Sequence, residues 1–133
     1  MKIKTVNQYV DDQEKALRFY TDKLGFVKKS DFTQGTYRWL TVVSAEEPAG
    51  VELVLQPSAF VPAGQTYQQA LHQQGMPAAM FFVDDINKEY ERLKGLGVAF
   101  TKPPTKTTGS TIAMLDDTCG NLIQLTQLDA WSR

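Results

Sequence analysis

The stretch Thr5-Val6-Asn7-Gln8-Tyr9-Val10-Asp11-Asp12 decides the fold, because a similar stretch occurs again later in the chain. The second stretch is Ala78-Ala79-Met80-Phe81-Phe82-Val83-Asp84-Asp85. A helical pattern follows each stretch and ends at a glycine, Gly25 in the first and Gly97 in the second. Val83 follows Val10 by 73 residues and Gly97 follows Gly25 by 72. An offset this constant indicates two copies of one structural unit.

Each copy is predicted to contain a strand, a helix and three further strands. Asp11 or Asp12 is expected to cap the first helix, whose apolar stripe includes Leu17 and Tyr20. Strand patterns follow at 26–32, 37–43 and 51–56, and again near 98–101, 111–115 and 121–127. We therefore predict an α+β fold, in which two βαβββ modules form a cupped, incomplete β-barrel with the helices outside.

The 133 residues are expected to form a single domain with four parts. Module 1 covers about 1–57, a connector about 58–76, module 2 about 77–128, and a C-terminal tail 129–133. The connector is rich in Pro, Gly and Gln, which favours an exposed segment with a possible helix over 66–74. The segment 102–109 is predicted to be either a flexible flap over a cavity or a plain hairpin connection.

Composition excludes several classes of function. The formal charge is −1 and the lysines are scattered, so a nucleic-acid partner is not expected. No apolar run approaches the roughly 20 residues that cross a bilayer, so we expect no membrane partner. Cys119 is the only cysteine and cannot form an internal disulfide. These features favour a cytoplasmic protein.

One face of the two first strands is expected to line a hollow between the sheets, where small β-barrels hold ligands. The helices would cover the face of Val6, Val10, Phe81 and Val83. Gln8 falls on that covered side, where we place it at a rim. The ligand-binding residues predicted on the open face are Thr5, Asn7, Tyr9, Trp39, Glu52, Met80, Phe82 and Gln124.

These motifs resemble the vicinal oxygen chelate superfamily, which includes glyoxalase I, extradiol dioxygenases, fosfomycin-resistance enzymes and bleomycin-binding proteins. The similarity rests on Val10-Asp11-Asp12, on Phe82-Val83-Asp84-Asp85 and on the ending Leu115-Asp116-Asp117-Thr118-Cys119-Gly120-Asn121-Leu122-Ile123-Gln124-Leu125. It covers nearly the whole chain. It implies the fold and a cavity, but it does not imply one reaction.

The resemblance also implies four metal-ligand positions, which here are Thr5, Glu52, Ala78 and Gln124. Only Glu52 is a usual ligand of a transition metal, which needs three or four imidazole, thiolate or carboxylate donors. The chain is thus closest to members whose metal site has lost its ligands. We predict no cofactor and no metal, with a bound divalent metal as the alternative.

Other candidate residues are interpreted more plainly. His72 has no histidine or cysteine near it in the sequence and is expected to be exposed to solvent. Cys119 is not interpreted as a nucleophile. Arg38 is expected to pair with a surface acid, although it is also a candidate to bind a ligand anion. Glu52 is interpreted as a polar cavity residue, with a general base as the alternative.

The leading hypothesis is a metal-free protein that binds a small apolar or aromatic compound in the sheet cavity. The alternative is a glyoxalase-like lyase or isomerase, or a dioxygenase, with an atypical metal site; the catalytic residues are then unknown. A third alternative is an interaction module whose cavity is filled by its own side chains. Open sheet edges and Trp131 favour a homodimer, and the cavity could form within one chain or across two.

Overall fold

The computed structural model describes residues 1–130 and divides into two compact units, the first ending at Gln68 and the second beginning at Gln69. The first unit contains β1 (Thr5–Val10), α1 (Gln13–Arg18), β2 (Val27–Gln34), β3 (Tyr37–Val43) and β4 (Glu52–Pro57). Helix α2 (Pro62–Gln73) spans the division. The second unit contains β5 (Ala79–Phe82), α3 (Ile86–Gly95), β6 (Phe100–Thr107), β7 (Ser110–Asp116) and β8 (Leu122–Leu128).

Both units have the same sheet topology. The strand order is β1-β4-β3-β2 in the first and β5-β8-β7-β6 in the second. The pairs β1–β4 and β5–β8 are parallel, and the other neighbours are antiparallel. The α+β class and the two βαβββ modules are therefore confirmed.

Asp12 caps the N-terminus of helix α1, where its carboxylate accepts a hydrogen bond from the Lys15 amide at 3.0 Å. That bond lowers the pKa of Asp12 below its usual value. The helix continues as a π-helical turn over Phe19–Lys23, and it buries Ala16 and Tyr20 completely. Gly25, at φ 86°, follows where a left-handed residue is needed.

Gln8 is a buried core residue, so its predicted place at a rim is wrong. Its side chain faces α1, where Nε2 donates to the Tyr20 hydroxyl at 2.7 Å. Only 3% of Gln8 is exposed. A buried amide needs such a partner, because an unmade hydrogen bond costs about 1–3 kcal/mol. The Tyr20 hydroxyl is therefore what allows a glutamine beneath the helix.

Most of the segment predicted as a flap or a plain hairpin connection belongs to strand β6, so the flap interpretation is wrong and only the two residues after Thr107 form a hairpin connection. Residues of β6 pair with β7 as far as Thr107–Ser110, and Gly109 (φ 85°) lies in the connecting turn. Pro103 and Pro104 lie where the pairing register shifts. Proline has no amide hydrogen, so it suits an edge strand with a local irregularity.

The predicted connector is only partly exposed, because α2 packs against the first sheet. Gly64 and Gln68 of this helix are buried. The Gln68 side chain donates to the Tyr9 carbonyl at 3.0 Å. The helix is also longer than the predicted one, since it begins at Pro62, a residue type suited to a first helical turn.

Among the helices of residues 1–130, none is both long enough and apolar enough to cross a membrane.

Candidate ligand-binding site

The five site residues predicted in the first copy lie on one face of the first sheet. Thr5 pairs with Glu52 in the parallel register of β1 and β4, and the same register carries Asn7 and Tyr9 along the strand. Residues that are paired in register, or two apart on a strand, point to the same side. Trp39 joins this face because Thr41, two residues later, bonds to Glu52. We call this side the β1–β4 open face; α1 packs on the other side.

The hydroxyl of Thr41 holds Glu52 in place, and Thr41 is a site residue that the sequence did not predict. Thr41 Oγ1 accepts a hydrogen bond from the Ser30 amide at 3.1 Å and donates to Glu52 Oε1 at 2.8 Å. Thr41 is fully buried, whereas Glu52 is half-buried. The carboxylate is thus fixed through one oxygen. Side chains two residues apart on a strand point to the same side, so the spacing between Trp39 and Thr41 on β3 could have identified Thr41.

Three further residues of the β1–β4 open face were also missed. Tyr37 donates its hydroxyl proton to Gln56 Oε1 at 2.8 Å. Phe32 lies opposite Trp39 in the β2–β3 pair and is 57% exposed. Tyr37 is two residues from Trp39 and could have been placed by alternation alone. Phe32 and Gln56 needed the pairing register, which is not apparent from the sequence.

Tyr9 differs from the other residues of this face because α2 covers part of it. Its ring lies against Gly64, and its carbonyl accepts from Gln68. The side chain is half-buried. Tyr9 therefore joins the sheet to the helix at one end of the open face.

The three site residues predicted in the second copy share one face of the second sheet. Met80 and Gln124 are partners in the parallel β5–β8 register, and Phe82 lies two residues further along β5. Met80 is 55% exposed and Phe82 is 62% exposed. The amide of Gln124 donates to Thr126 Oγ1 at 3.1 Å. Met114 pairs with Gln124 and adds an apolar side chain that the sequence pattern did not predict.

The four family positions do not supply the donors of the usual metal centre. Thr5 and Glu52 are partners in the first sheet, but only Glu52 is a strong ligand type. In the second unit Ala78 has no side-chain donor and Gln124 offers a neutral amide. Residues 1–130 hold no cluster of three or more His, Cys, Asp or Glu that could bind a metal ion. The residues at these four positions therefore do not fit the usual metal centre.

Arg38 forms ion pairs with acidic side chains, as predicted. Its guanidinium contacts Asp31 at 2.8 Å and 2.9 Å and Glu14 at 2.7 Å. These bonds lower the pKa of Asp31 to about 2, chiefly through the hydrogen bond from Arg38, and raise the pKa of Arg38. Glu14 belongs to α1, so Arg38 links β3 to the helix side of the sheet.

The structure agrees with the predictions that His72 is exposed to solvent and that Cys119 is not a nucleophile. The His72 side chain is 44% exposed and lies 3.5 Å from an Asp116 oxygen. Cys119 is completely buried, in a turn where Asp117 accepts hydrogen bonds from the Cys119 and Asn121 amides. A buried thiol in such a turn has no access to a substrate.

Comparison with known proteins identifies the family. The model of the Glyoxalase/Bleomycin resistance protein/Dioxygenase superfamily matches residues 2–125. The chain is 53% identical over 127 residues to YurT, an uncharacterized protein of Bacillus subtilis (strain 168), covering 96% of this chain and 99% of YurT.

Two solved structures are similar over almost the whole chain. UcmS2 has 33% identity and a TM-score of 0.80, covering 95% of this chain and 97% of UcmS2. TnmS3, an antibiotic binding protein from Streptomyces sp. CB03234, has 28% identity and a TM-score of 0.77, with 97% of each chain covered. Together with the fold, these matches establish that the chain belongs to the glyoxalase/bleomycin resistance protein/dioxygenase superfamily.

Proposed function

We propose that this protein binds a small apolar or aromatic molecule in its sheet cavity without a metal ion. The observation that carries the proposal is the composition of the β1–β4 open face. It combines aromatic rings, Trp39 and Phe32, with hydrogen-bonding groups that are held in place, Glu52 and Gln56. Ligand sites typically combine apolar walls with a few positioned polar groups.

The second sheet supports the same proposal with a different surface. Met80 and Phe82 are more than half exposed on one face, next to the Gln124 amide. Methionine is flexible and polarizable, so it adapts to flat or irregular ligands. Exposed apolar side chains that lie together are a frequent sign of a binding surface.

The comparisons favour a ligand-binding function as well. TnmS3, which has 28% identity to this chain, is described as an antibiotic binding protein. We extend that activity to this chain as a proposal, with the ligand left at the level of a small organic compound.

The test is a ligand screen by thermal shift on metal-free protein, prepared with a chelator. We expect aromatic compounds to raise Tm without added metal, since a ligand at 100 times its Kd stabilises by about 2.7 kcal/mol. Trp39→Ala should abolish the shift. Tyr67→Ala, which removes a 57% exposed aromatic residue of α2, is the control and should leave the shift unchanged. Stoichiometric bound metal in the purified protein would contradict the proposal.

The alternative is a lyase, isomerase or dioxygenase with an atypical metal site, and Glu52 is the residue that favours it. This half-buried carboxylate stands at a family ligand position and has one oxygen held by Thr41. Activity that appears with nickel, manganese, zinc or iron and is lost in Glu52→Ala would establish this alternative. Absence of such activity, with ligand binding intact, favours the binding protein.

We also propose that the protein is a cytoplasmic homodimer. Strands β1 and β5 each form an edge of their sheet, and Met80 and Phe82 are exposed on β5. Edge strands with exposed apolar side chains tend to pair with another chain. Trp131, also invoked for dimerisation, lies outside the described residues. Sedimentation should give a dimer at micromolar concentration, and a monomer would contradict the proposal.

A further inference from the structure

We infer that the β1–β4 open face selects a cationic aromatic ligand, meaning a flat ring system that carries a protonated amine or amidine. This inference rests on the proposed function and narrows its ligand class. It follows from Glu52, a carboxylate held by Thr41 on the same face as Trp39.

The charge of Glu52 is not neutralised within the described part of the protein. Its side chain makes one hydrogen bond, from Thr41, and takes part in no ion pair with residues 1–130. Arg38, the nearest arginine in sequence, is already bound to Asp31 and Glu14. A ligand cation would therefore meet a carboxylate that it need not first separate from an internal partner.

The direction of the hydrogen bonds at Thr41 determines which oxygen of Glu52 is held by the protein. The hydroxyl oxygen accepts from the Ser30 amide, so its one proton is donated to Glu52 Oε1. The buried threonine thus orients the carboxylate through Oε1. The second oxygen, Oε2, is left available to a donor that approaches the open face.

Aromatic side chains share this face of the sheet with the Glu52 carboxylate. Trp39 is two residues from Thr41 along β3, which corresponds to about 7 Å. Phe32 is the partner of Trp39 on β2 and is 57% exposed. Rings of this kind stack on flat compounds and attract cations through their π-faces. A planar cation can therefore contact Trp39 while its charged group reaches Glu52.

Of the two positions that are equivalent in the repeat, only the one in the first unit carries a carboxylate. The position equivalent to Glu52 is occupied by Gln124, which is neutral and donates to Thr126. Its neighbours Met80 and Phe82 are apolar. Selection for positive charge is therefore assigned to the β1–β4 open face, and the second sheet is expected to tolerate neutral ligands.

Three planar tricyclic probes test the inference: proflavine, which is cationic, anthraquinone, which is neutral, and anthraquinone-2-sulfonate, which is anionic. Calorimetric titration is expected to show that proflavine binds at least about tenfold more tightly than anthraquinone-2-sulfonate, equivalent to about 1.4 kcal/mol. Glu52→Gln preserves the shape and removes the charge. It should weaken proflavine about tenfold and leave anthraquinone unchanged.

Thr41 is tested as a positioning residue. Thr41→Val should weaken proflavine several-fold while Thr41→Ser, which keeps the hydroxyl, restores the affinity. Melting curves of both variants verify the fold. Glu47→Gln, which removes a charge from the exposed loop before β4, is the matched control and should change none of the affinities.

The possible results separate the inference from the proposed function. If all three probes bind alike and Glu52→Gln changes none of them, the inference is wrong and the binding function stands. If none binds up to roughly 1 mM, a binding free energy near −4 kcal/mol, both are overturned.

Discussion

The Tyr9 ring lies so close to Gly64 that a Cβ built on this glycine would be 2.5 Å from Tyr9 Cε1. Carbon atoms that are not bonded normally rest about 3.5–4 Å apart. Gly64 therefore allows α2 to approach the first strand, and Gln68, one turn later, donates to the Tyr9 carbonyl. The absence of a side chain at Gly64 and the hydrogen bond from Gln68 together hold α2 against β1.

We predict that Gly64→Ala destabilises the protein by roughly 1–3 kcal/mol, because the added methyl group forces the tyrosine ring or the helix to move. Urea denaturation measures the loss. Gly95→Ala is the control, since a Cβ on Gly95 meets nothing within 4 Å. At this last residue of α3, alanine should be neutral or stabilising by up to about 1 kcal/mol.

A double mutant identifies the cause of that loss. With Tyr9→Ala in the background, Gly64→Ala should cost much less, because the ring that it strikes is gone. A coupling free energy of roughly 0.5 kcal/mol or more is expected for residues in contact. Strictly additive losses would show that the Tyr9 contact is not the reason for a glycine here.

The buried pair Gln8–Tyr20 gives a second prediction. Tyr20→Phe removes the acceptor of the Gln8 amide, so the free energy of unfolding should fall by roughly 1–3 kcal/mol. Gln8→Leu in the same protein should recover part of that loss, because it removes the unpaired amide as well. If Tyr20→Phe has the stability of the parent, the hydrogen bond contributes little.

The sequence predicts the strands and helices well because the repeat supplies two independent patterns for each element. Asp12 and Asp85, which are 73 residues apart, both cap their helices through the amide three residues later. The pattern could not choose between Asp11 and Asp12, since either carboxylate suits the position. The structure separates them, because Asp12 has an extended backbone at φ −144° and ψ 115° and its carboxylate accepts from the Lys15 amide.

The candidate site is predicted in part because alternation along a strand depends only on local geometry. Thr5, Asn7 and Tyr9 follow from the period of two, and Glu52 follows from the resemblance, which implies a metal-ligand position there. Phe32 and Gln56 depend on which strands are neighbours and in which register. Those are long-range properties, so no local pattern contains them.

The errors have a common physical reason, which is that composition does not report tertiary partners. The polarity of Gln8 predicts a place at a rim, but Tyr20 supplies a buried acceptor. The composition of segment 102–109 is compatible with a flap, but neighbouring β7 pairs with most of it. In each case a residue type that usually lies at the surface has found its partner in another element.

The pair Asp31–Arg38 predicts a dependence of stability on pH. The pKa of Asp31 is lowered to about 2, so the unfolded chain takes up its proton at a higher pH than the folded one. The stabilising contribution is complete above about pH 4 and is lost as the pH falls through about 2. Arg38→Gln should lower stability at pH 7 by roughly 0.5–1 kcal/mol, a modest value because the pair is partly exposed.

Urea unfolding at several pH values measures this effect. The difference between the parent and Arg38→Gln should shrink between pH 4 and pH 2. Lys88→Gln removes the same charge from the exposed side of α3 and serves as the control. A difference that stays constant over this range would indicate that Arg38 stabilises through packing of its side chain, and not through Asp31.

The two helix caps give the last prediction, which concerns the repeat itself. Asp12→Ala and Asp85→Ala should each cost about 1 kcal/mol, because each removes the acceptor of an amide in the first helical turn. Hydrogen exchange should become faster at Lys15 in the first variant and at Lys88 in the second. Asp84→Ala is the matched control, since Asp85 is the capping residue. If Asp84→Ala and Asp85→Ala have equal effects, these aspartates stabilise the helix only through their negative charge near its N-terminus. If only Asp85→Ala destabilises the protein, the capping hydrogen bond is responsible, and each copy of the repeat contains one such bond.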